Sequence, residues 1–169
     1  MKPIAIPKAM SMKFPEWVAL LVVRSEEAGN RANIMPIGWI MCCSFEPPMI
    51  AIAVGNTRFT HELLARSRKF VLAFAGDGQA ELVRRAGRTS GRDTDKFAAF
   101  QIPHEDGPLT GCPMLSEAAF NLECEVQDTL TTGDHTIFAA KVVGAYAPDR
   151  PIRKIENFGN DRLAPAVPA

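Results

Sequence analysis

The amino-acid sequence predicts a mainly β fold with one or two short helices, in which antiparallel strands form a closed or partly closed barrel. The chain contains six apolar stretches of strand length, with predicted bounds 17–24, 37–44, 49–54, 69–75, 119–127 and 136–146. Pro, Gly and Asp residues, which favour turns, separate several of these stretches. Two further segments, 57–67 and 78–100, have the pattern of short helices.

Each element follows from its residue pattern, in order along the chain. The first stretch is a continuous apolar run rich in β-branched Val, which favours a buried strand. Pro47-Pro48 separates the second strand from the third, because proline has no N–H to donate to a sheet. In the helix that follows, Leu63 and Leu64 fall on the inner face. The last two strands are long, and a turn at 131–134 joins them.

The remaining segments are predicted to be surface or terminal regions. Segment 78–100 is dense in charge and is predicted to be helical in pieces, either on the surface or over a site. Residues 107–114 are predicted to form a loop, because of their Gly and Pro content. We expect one domain over residues 1–169, with an irregular N-terminal arm at 1–14 and a Pro-rich C-terminal extension at 149–169 that frays at its end.

The charge balance excludes several classes of partner. Lys and Arg total 19 and Asp and Glu total 19, so the formal net charge is zero. Such a balance gives no electrostatic footprint for nucleic acid or for an anionic membrane, and neither partner is expected. No apolar run is long enough to cross a bilayer. Three lysines and three prolines before Trp17 interrupt any signal-peptide core, so we expect a cytoplasmic protein.

The cysteines and histidines predict neither a metal site nor a disulfide framework. The four cysteines, at positions 42, 43, 112 and 124, form no C-x-x-C pair, and the three histidines are widely scattered. No Gly-x-Gly-x-x-Gly lies between a strand and a helix, so no Rossmann nicotinamide-binding domain is predicted.

The most informative stretch runs from Asn33 to His61. It contains, in order, Asn33-Ile-Met35-Pro-Ile-Gly-Trp39, Cys42-Cys43-Ser44, Pro47-Pro48 and Gly55-Asn56-Thr57-Arg58-Phe59-Thr60-His61. Three more pieces follow: Ser90-Gly91-Arg-Asp-Thr-Asp-Lys96-Phe97, Asn121-Leu-Glu123-Cys and Gly133-Asp134-His135. With these motifs in this order, the sequence resembles the flavin reductase-like family, and its flavoredoxin-type members in particular, over residues 18–143. The resemblance implies a six-stranded antiparallel Greek-key split β-barrel that binds FMN.

An FMN site needs an aromatic or apolar wall for the flavin ring, and hydroxyls, backbone N–H groups and a cation for the phosphate. Thr60 and His61 lie in the first turn of the predicted helix, where unpaired N–H groups are available, and Lys96 could supply the cation. The resemblance places Asn33 and Trp39 near the ring and ribityl chain, and Thr60 and Lys96 near the phosphate. It implies further cofactor-binding residues: Met35, Ser44, Asn56, Thr57, His61 and Ser90.

Structural roles are the alternative for several of these residues. Trp39 in a strand could be a core residue, and Thr60 could satisfy only its own helix terminus. Lys96 lies in a charged run, and such runs usually form a solvated face. The order of all the motifs together favours the flavin interpretation over these alternatives.

His135, the adjacent cysteines and Phe158 complete the candidate site. The resemblance places His135 against the ring as the candidate catalytic residue, where a side chain that changes charge near physiological pH would suit an anionic reduced flavin. Cys42 and Cys43 point to opposite faces of a strand, so at most one of them faces the flavin, and a buried inert thiol is the alternative. Phe158 corresponds to an aromatic residue that comes back over the ring.

The resemblance implies an oxidoreductase, an NAD(P)H:flavin reductase. NAD(P)H would act as a transient cosubstrate that delivers hydride to N5 of FMN, or of FAD in its place, and electrons would pass to a monooxygenase or another redox protein. A homodimer is expected, because a groove-shaped site on a small barrel needs a cover and a two-fold mate commonly supplies it. Two alternatives remain: a flavoredoxin-like electron carrier with tightly bound FMN, and a non-enzymatic split-barrel module that binds haem, another flavin or pyridoxal phosphate.

Overall fold

The computed structural model describes residues 1–26 and 29–166, and the last three residues of the predicted C-terminal extension lie outside these ranges. The strands in the described ranges are β1 (Glu16–Trp17), β2 (Ala19–Ser25), β3 (Arg31–Ile37), β4 (Ile40–Phe45), β5 (Pro48–Gly55), β6 (Lys69–Phe74), β7 (His104–Asp106), β8 (Pro113–Leu115), β9 (Phe120–Thr132), β10 (His135–Tyr146), β11 (Ile155–Asn157) and β12 (Leu163–Pro165). The α-helices are α1 (Ile6–Met10), α2 (Phe59–Ser67), α3 (Ala80–Arg88) and α4 (Lys96–Phe100).

A seven-stranded antiparallel sheet dominates the fold, with the strand order β3-β2-β6-β9-β10-β5-β4. The prediction of a mainly β, antiparallel fold with short helices is confirmed. The sheet has one strand more than the predicted six, and among the described residues no pairing closes it between β3 and β4. The six-stranded Greek-key barrel therefore stays a prediction.

The predicted strand at 37–44 is wrong in its bounds, because the chain changes partner within it. Ile37 ends β3 opposite Ala19 of β2, whereas Ile40 starts β4 opposite Ile52 of β5. Gly38 lies at this switch, where a Cβ atom would come within 2.8 Å of Glu16 Oε1. The pairing switch thus makes two strands out of a segment that looks like one apolar run.

Apolar side chains are buried on both faces of the sheet. Along β2, Leu21 and Val23 belong to one core cluster and Leu20 and Val22 to the other, because successive side chains in a strand point to opposite faces. Helix α2 covers the first face, and its Leu63 and Leu64 are buried as predicted. Helices α3 and α4 and the β8 segment cover the second face. Burial on both faces explains why the first apolar run is continuous rather than alternating.

The two chain ends meet in a small separate sheet with the order β1-β11-β12. In this sheet residues 155–157 of the C-terminal extension lie beside Glu16 and Trp17, and residues 163–165 pair with the other edge of 155–157. The N-terminal arm, predicted to be irregular, contains helix α1, with proline at the start of the helix, a favoured position. In the described part of the chain no helix is both long and apolar enough to cross a membrane.

Candidate functional site

A cavity of about 340 Å³ lies where β3, the start of α2 and the 86–92 segment meet, and we call it the α2 cavity. Six of the residues predicted from the sequence to bind a cofactor line it: Asn33, Met35, Thr57, Thr60, Ser90 and Lys96. These residues come from three stretches that are far apart in the sequence. The fold brings them together because α2 and α4 both pack against β3.

Asn33 and Thr60 form a buried polar pair in the wall of the α2 cavity. Their exposed fractions are 3% and 2%, and Asn33 Nδ2 donates a hydrogen bond of 2.7 Å to Thr60 Oγ1. Asn33 Oδ1 is buried and has no hydrogen-bond partner among the described residues. Gly91 lies over this oxygen, since a Cβ atom there would be 2.0 Å from it. A buried acceptor without a donor costs about 1–3 kcal/mol, so this position fits a ligand with a hydroxyl or N–H group.

Lys96 places a buried ammonium group at the same cavity. Asp95 caps helix α4 by accepting from the N–H of Ala98, and Lys96 is the first residue of that helix. The side chain is only 3% exposed, and Nζ donates to the carbonyl oxygens of Ile34 (2.8 Å) and Ala86 (2.7 Å). Burial lowers the pKa of Lys96 to about 8. An ammonium group has three donors, so one remains for a ligand.

Arginines that the sequence analysis did not select make the cavity wall more cationic. Arg58, Arg88 and Arg92 line it together with Lys96. Arg92 forms a two-point ion pair with Glu62, whose pKa is held below its usual value by the hydrogen bonds from Arg92. Arg58 and Arg92 lie inside the motifs quoted above, close to the predicted cofactor-binding residues Thr57 and Ser90. This position in the sequence could have identified them. Arg88 lies in the charged segment, where the sequence offers no such signal.

The start of helix α2 adds backbone donors to this wall. Arg58 is the N-cap residue, and its side chain makes no capping hydrogen bond to the first turn, although its carbonyl oxygen accepts from the N–H of His61 at 3.0 Å. The cavity is lined by the four residues at this helix start, Thr57, Arg58, Phe59 and Thr60. The positive end of the helix dipole therefore faces the cavity. Together with the ammonium group and the three guanidinium groups, this geometry suits a phosphate.

Asn56 and His61 lie beside the cavity and are joined through Thr136. The Thr136 hydroxyl donates to Asn56 Oδ1 at 2.9 Å, and His61 Nε2 lies 2.9 Å from the same hydroxyl oxygen. Because that hydroxyl has one proton, His61 Nε2 must carry the hydrogen of the second bond. The ring of His61 also meets Phe138 edge to face at 5.4 Å. Both predicted residues thus support the loop that enters α2, and neither lines the cavity.

Trp39 and His135 form a second part of the site. Their ring centroids are 4.5 Å apart, and Trp39 is 46% exposed. His135 Nδ1 lies 2.7 Å from Asp134 Oδ1, and this hydrogen bond lowers the pKa of Asp134. A Cβ atom on Gly55 would lie 3.6 Å from His135 Nε2 and 3.5 Å from Arg58 Cγ. The bare backbone at Gly55 therefore stands between the ring pair and the cationic wall of the α2 cavity.

An apolar groove of about 240 Å³ runs along the same side, lined by Trp39, Ile40, Met41, Ala51, Ile52, Ala53 and Ile137. Cys42 lines a neighbouring groove together with Lys13 and Trp39. The register of β4 against β5 shifts between Cys42 and Ser44, which leaves Cys43 on a bulge, and both thiols are exposed. The alternative of a buried inert thiol is wrong for this pair. Ser44 is half-buried and pairs with Met49.

Phe158 is not among the residues that line these cavities. It lies between β11 and β12, half-buried, and its N–H donates to the carbonyl oxygen of Arg162 at 2.8 Å. Gly159 follows with a positive φ of 82° and lies against the ring of Phe14. The C-terminal segment thus brings Phe158 near the N-terminal arm. Its predicted position over a flavin ring stays a prediction.

Comparison with known proteins gives a consistent family assignment. The family model for the flavin reductase like domain matches residues 11–163. An FMN-binding protein from Thermus thermophilus, solved with 1-cyclohex-2-enone bound, is 32% identical, with a TM-score of 0.82 over 98% of this chain and 93% of that chain. The flavoredoxin of Methanosarcina acetivorans shares the fold, with a TM-score of 0.86, 24% identity, and coverage of 100% of this chain and 94% of that one.

A curated relative carries a named activity. The NADH:riboflavin 5'-phosphate oxidoreductase of Streptomyces pristinaespiralis is 28% identical over 116 residues, which cover 69% of this chain and 63% of that protein. Three further relatives at 30% identity or more are matched over 70%, 64% and 66% of their own length. The chain therefore spans about two thirds of the length of these relatives.

Proposed function

This chain belongs to the flavin reductase-like family, and we propose that it binds FMN in the α2 cavity and transfers hydride from NAD(P)H to that flavin. The observation that carries the proposal is the buried group formed by Asn33, Thr60 and Lys96. It offers one unsatisfied acceptor and one free ammonium donor at the same cavity. The Thermus protein binds FMN and the Streptomyces protein is an oxidoreductase for NADH and riboflavin 5'-phosphate, which supports the same assignment.

The donor and acceptor groups of the cavity fit the polar half of FMN. The phosphate would lie among Lys96, Arg58 and the N–H groups of Phe59 and Thr60, since all of these groups donate, whereas the N–H of His61 already donates to the Arg58 carbonyl oxygen. The unsatisfied Asn33 Oδ1 would accept from a ribityl hydroxyl, because a phosphate dianion has no hydrogen to give it. Thr57 and Ser90 add exposed hydroxyls at the cavity mouth.

Trp39 and His135 would bind the ring half. The apolar groove beside them would exclude water from one face of the ring, and Asp134 holds the His135 imidazole in a fixed orientation. When bound, FMN supplies a ring nitrogen, N5, that accepts the hydride lost by NAD(P)H. In this proposal His135 places a polar hydrogen at the edge of the flavin ring, and Trp39 helps to set the position of His135 through a tilted ring contact.

The exposed apolar residues at the β4 edge support a homodimer. Phe45 is 95% exposed, Met41 on the same strand is 56% exposed, and Trp39 just before this strand is 46% exposed. Exposed apolar patches of this kind usually mark an interaction surface. In our proposal a second copy covers this edge, the sheet forms the split barrel expected for the family, and electrons leave to a cytoplasmic redox protein. Light scattering that gives a monomer mass with FMN bound would contradict the dimer.

The test of the function is an FMN titration followed by anaerobic addition of NADH, with His135→Ala as the variant and His104→Ala as the matched control. His104 is an exposed histidine on β7 and does not line the α2 cavity. We expect wild type and the control to bind FMN and to bleach its visible absorbance with NADH. Loss of the His135 hydrogen bond should slow bleaching about tenfold or more.

Three outcomes would contradict all or part of the proposal. Absence of FMN binding by the wild-type protein would refute the site itself. Tight FMN binding without reduction by NADH, but with reduction by dithionite, would leave the site intact and assign the chain to the electron carriers. Equal bleaching rates for both histidine variants would remove the proposed role of His135.

A further inference from the structure

The start of strand β10 contacts both parts of the proposed flavin site. His135 is the first residue of this strand, and its ring lies 4.5 Å from the ring of Trp39. Thr136 follows, and its side chain points to the other face of the sheet, because successive side chains in a strand alternate between faces. There it contacts His61 in the first turn of α2. Two neighbouring residues of one strand thus reach the ring part of the site and the helix that starts at the α2 cavity.

The Thr136 hydroxyl is a buried bridge between two polar side chains. Thr136 is 8% exposed, and its hydroxyl donates to Asn56 Oδ1 and accepts from His61 Nε2, each at 2.9 Å. The edge-to-face contact with Phe138 holds the plane of the His61 ring. Because the hydroxyl has only one hydrogen, it serves both partners only when His61 carries its ring hydrogen on Nε2. The bridge therefore selects one tautomer of this histidine.

Asn56 connects the start of β10 to the loop that enters α2. Its side chain accepts from Thr136, and its backbone N–H donates to the carbonyl oxygen of Asp134 at 2.9 Å. These two partners are the neighbours of His135 in the sequence, so the loop is fastened on both sides of that histidine. Two residues further on, Arg58 is the N-cap of α2 and lines the α2 cavity. A shift of the loop would move this cationic wall relative to His135.

From these contacts we infer that Thr136 is a positioning residue, which holds the phosphate-binding end of the α2 cavity at a fixed distance from His135. Thr136 does not line that cavity, so it acts through Asn56 and His61. The inference rests on the proposed function, in which FMN reaches from the cationic wall to His135. FMN carries its ring and its phosphate at opposite ends of one ribityl chain, so both ends bind well only if this distance is right.

A purely structural role of Thr136 predicts a different pattern of ligand affinities. Loss of a buried hydrogen bond that only stabilises the sheet would weaken the binding of FMN and of riboflavin to the same extent. Loss of a positioning contact weakens the binding of FMN alone, because only FMN has the phosphate that the loop must meet. Riboflavin is therefore the ligand that separates the two roles.

The test compares Thr136→Val, which keeps the shape of the side chain without its hydroxyl, with Thr136→Ser, which keeps the hydroxyl. Thr131→Val is the matched control, since Thr131 lies opposite Thr136 in the β9–β10 pair and is exposed. FMN and riboflavin affinities are measured by fluorescence titration. Nitrogen NMR at alkaline pH shows which ring nitrogen of His61 carries the hydrogen, and circular dichroism melts check that each variant is folded.

We expect Thr136→Val to bind FMN about tenfold more weakly than wild type, because the loop loses its hydrogen bond to β10. Its riboflavin affinity should be unchanged. Thr136→Ser should recover most of the FMN affinity, and Thr131→Val should behave as wild type. The His61 hydrogen should be on Nε2 in wild type and in Thr136→Ser, and should be shared between both ring nitrogens in Thr136→Val.

A second variant, Asn56→Ala, removes the other partner of the bridge at an exposed position and tests the same contact if Thr136→Val does not fold. It should cause a similar loss of FMN affinity without a loss of riboflavin affinity. In the double variant the two losses should not add, because both substitutions break one hydrogen bond.

The inference is overturned if wild type binds FMN and the bridge variants bind it equally well, and the proposed function then still stands. Equal losses for FMN and riboflavin, or a His61 hydrogen on Nδ1 in wild type, would also overturn it. A wild-type protein that binds no FMN would refute the proposed function and this inference together.

Discussion

The buried ammonium group of Lys96 should make flavin binding depend on pH above 8 in a characteristic way. At pH 7 this side chain is charged, although it is almost fully buried. Its pKa is lowered from 10.5 to about 8, which corresponds to a cost of about 3 kcal/mol for keeping the charge in the folded protein. A phosphate dianion at the free third donor would repay part of that cost.

The sign of the effect differs between binding and stability. Binding needs the charged form of Lys96, so FMN affinity should be constant from pH 7 to 8 and then fall, by up to about tenfold per pH unit. For the flavin-free protein, the unfolded chain binds more protons than the folded chain between pH 8 and 10.5. The contribution of this group to stability therefore rises with pH across the same window in which affinity falls.

The assay is a fluorescence titration with FMN at a series of pH values, with riboflavin as the ligand control and Lys69→Met as the protein control. Lys69 is an exposed lysine on β6, 3.6 Å from Glu125, and does not line the α2 cavity. We expect Lys96→Met to weaken FMN binding about 10- to 100-fold at pH 7 and to flatten the pH profile. Riboflavin, which has no phosphate, should show no fall above pH 8 in either protein. An identical decline for FMN and riboflavin, or for wild type and Lys96→Met, would refute the assignment of the phosphate to this lysine.

Two further predictions concern packing and thiol chemistry. Gly91→Ala should lower the free energy of unfolding by about 1–3 kcal/mol, because its Cβ would lie 2.0 Å from Asn33 Oδ1. The unfolding temperature and the FMN affinity should both fall as a result. Gly78→Ala is the control for thermal melts and titrations, since its Cβ would meet nothing within 4 Å, and equal values for the two variants would contradict the packing argument. In the native protein, Ellman's reagent should leave Cys112 and Cys124 unreacted, because burial raises the pKa of Cys124 to about 12 and also raises that of Cys112, so any reaction should come from Cys42 and Cys43 on β4. Rapid reaction of all four thiols without denaturant would contradict this division.

The sequence predicted the central strands well, because burial on one or both faces leaves a clear apolar signal. The predicted strand at 49–54 is β5, and the turn at 131–134 lies at the β9–β10 connection as expected. Strand β3 was missed because it carries Arg31, Asn33 and Pro36, and so lacks an apolar run. Its pairing with β2 is a tertiary effect that no local pattern in the segment indicates.

The site could be predicted in part, for a similar reason. Motif residues of β3, α2 and α4 meet at one cavity, in agreement with the family order of the motifs. Lys96 shows where local pattern fails: its charged surroundings favour a solvated face, yet two backbone carbonyls hold it in the interior. Arg88 was missed because a charged segment gives no indication of which of its members face inward, whereas Arg58 and Arg92 stand inside motifs that could have identified them.

The position of strand β2, buried on both faces and paired on both edges, has a consequence for how the molecule fluctuates. The amides of residues 19–22 should exchange with solvent hydrogen only on global unfolding, whereas segment 89–95 at the mouth of the α2 cavity is a connection between two short helices that is partly exposed. Local opening of segment 89–95 can therefore admit a ligand to the α2 cavity without breaking the hydrogen bonds of strand β2. Ligand binding should slow hydrogen exchange in segment 89–95 first and leave β2 unchanged.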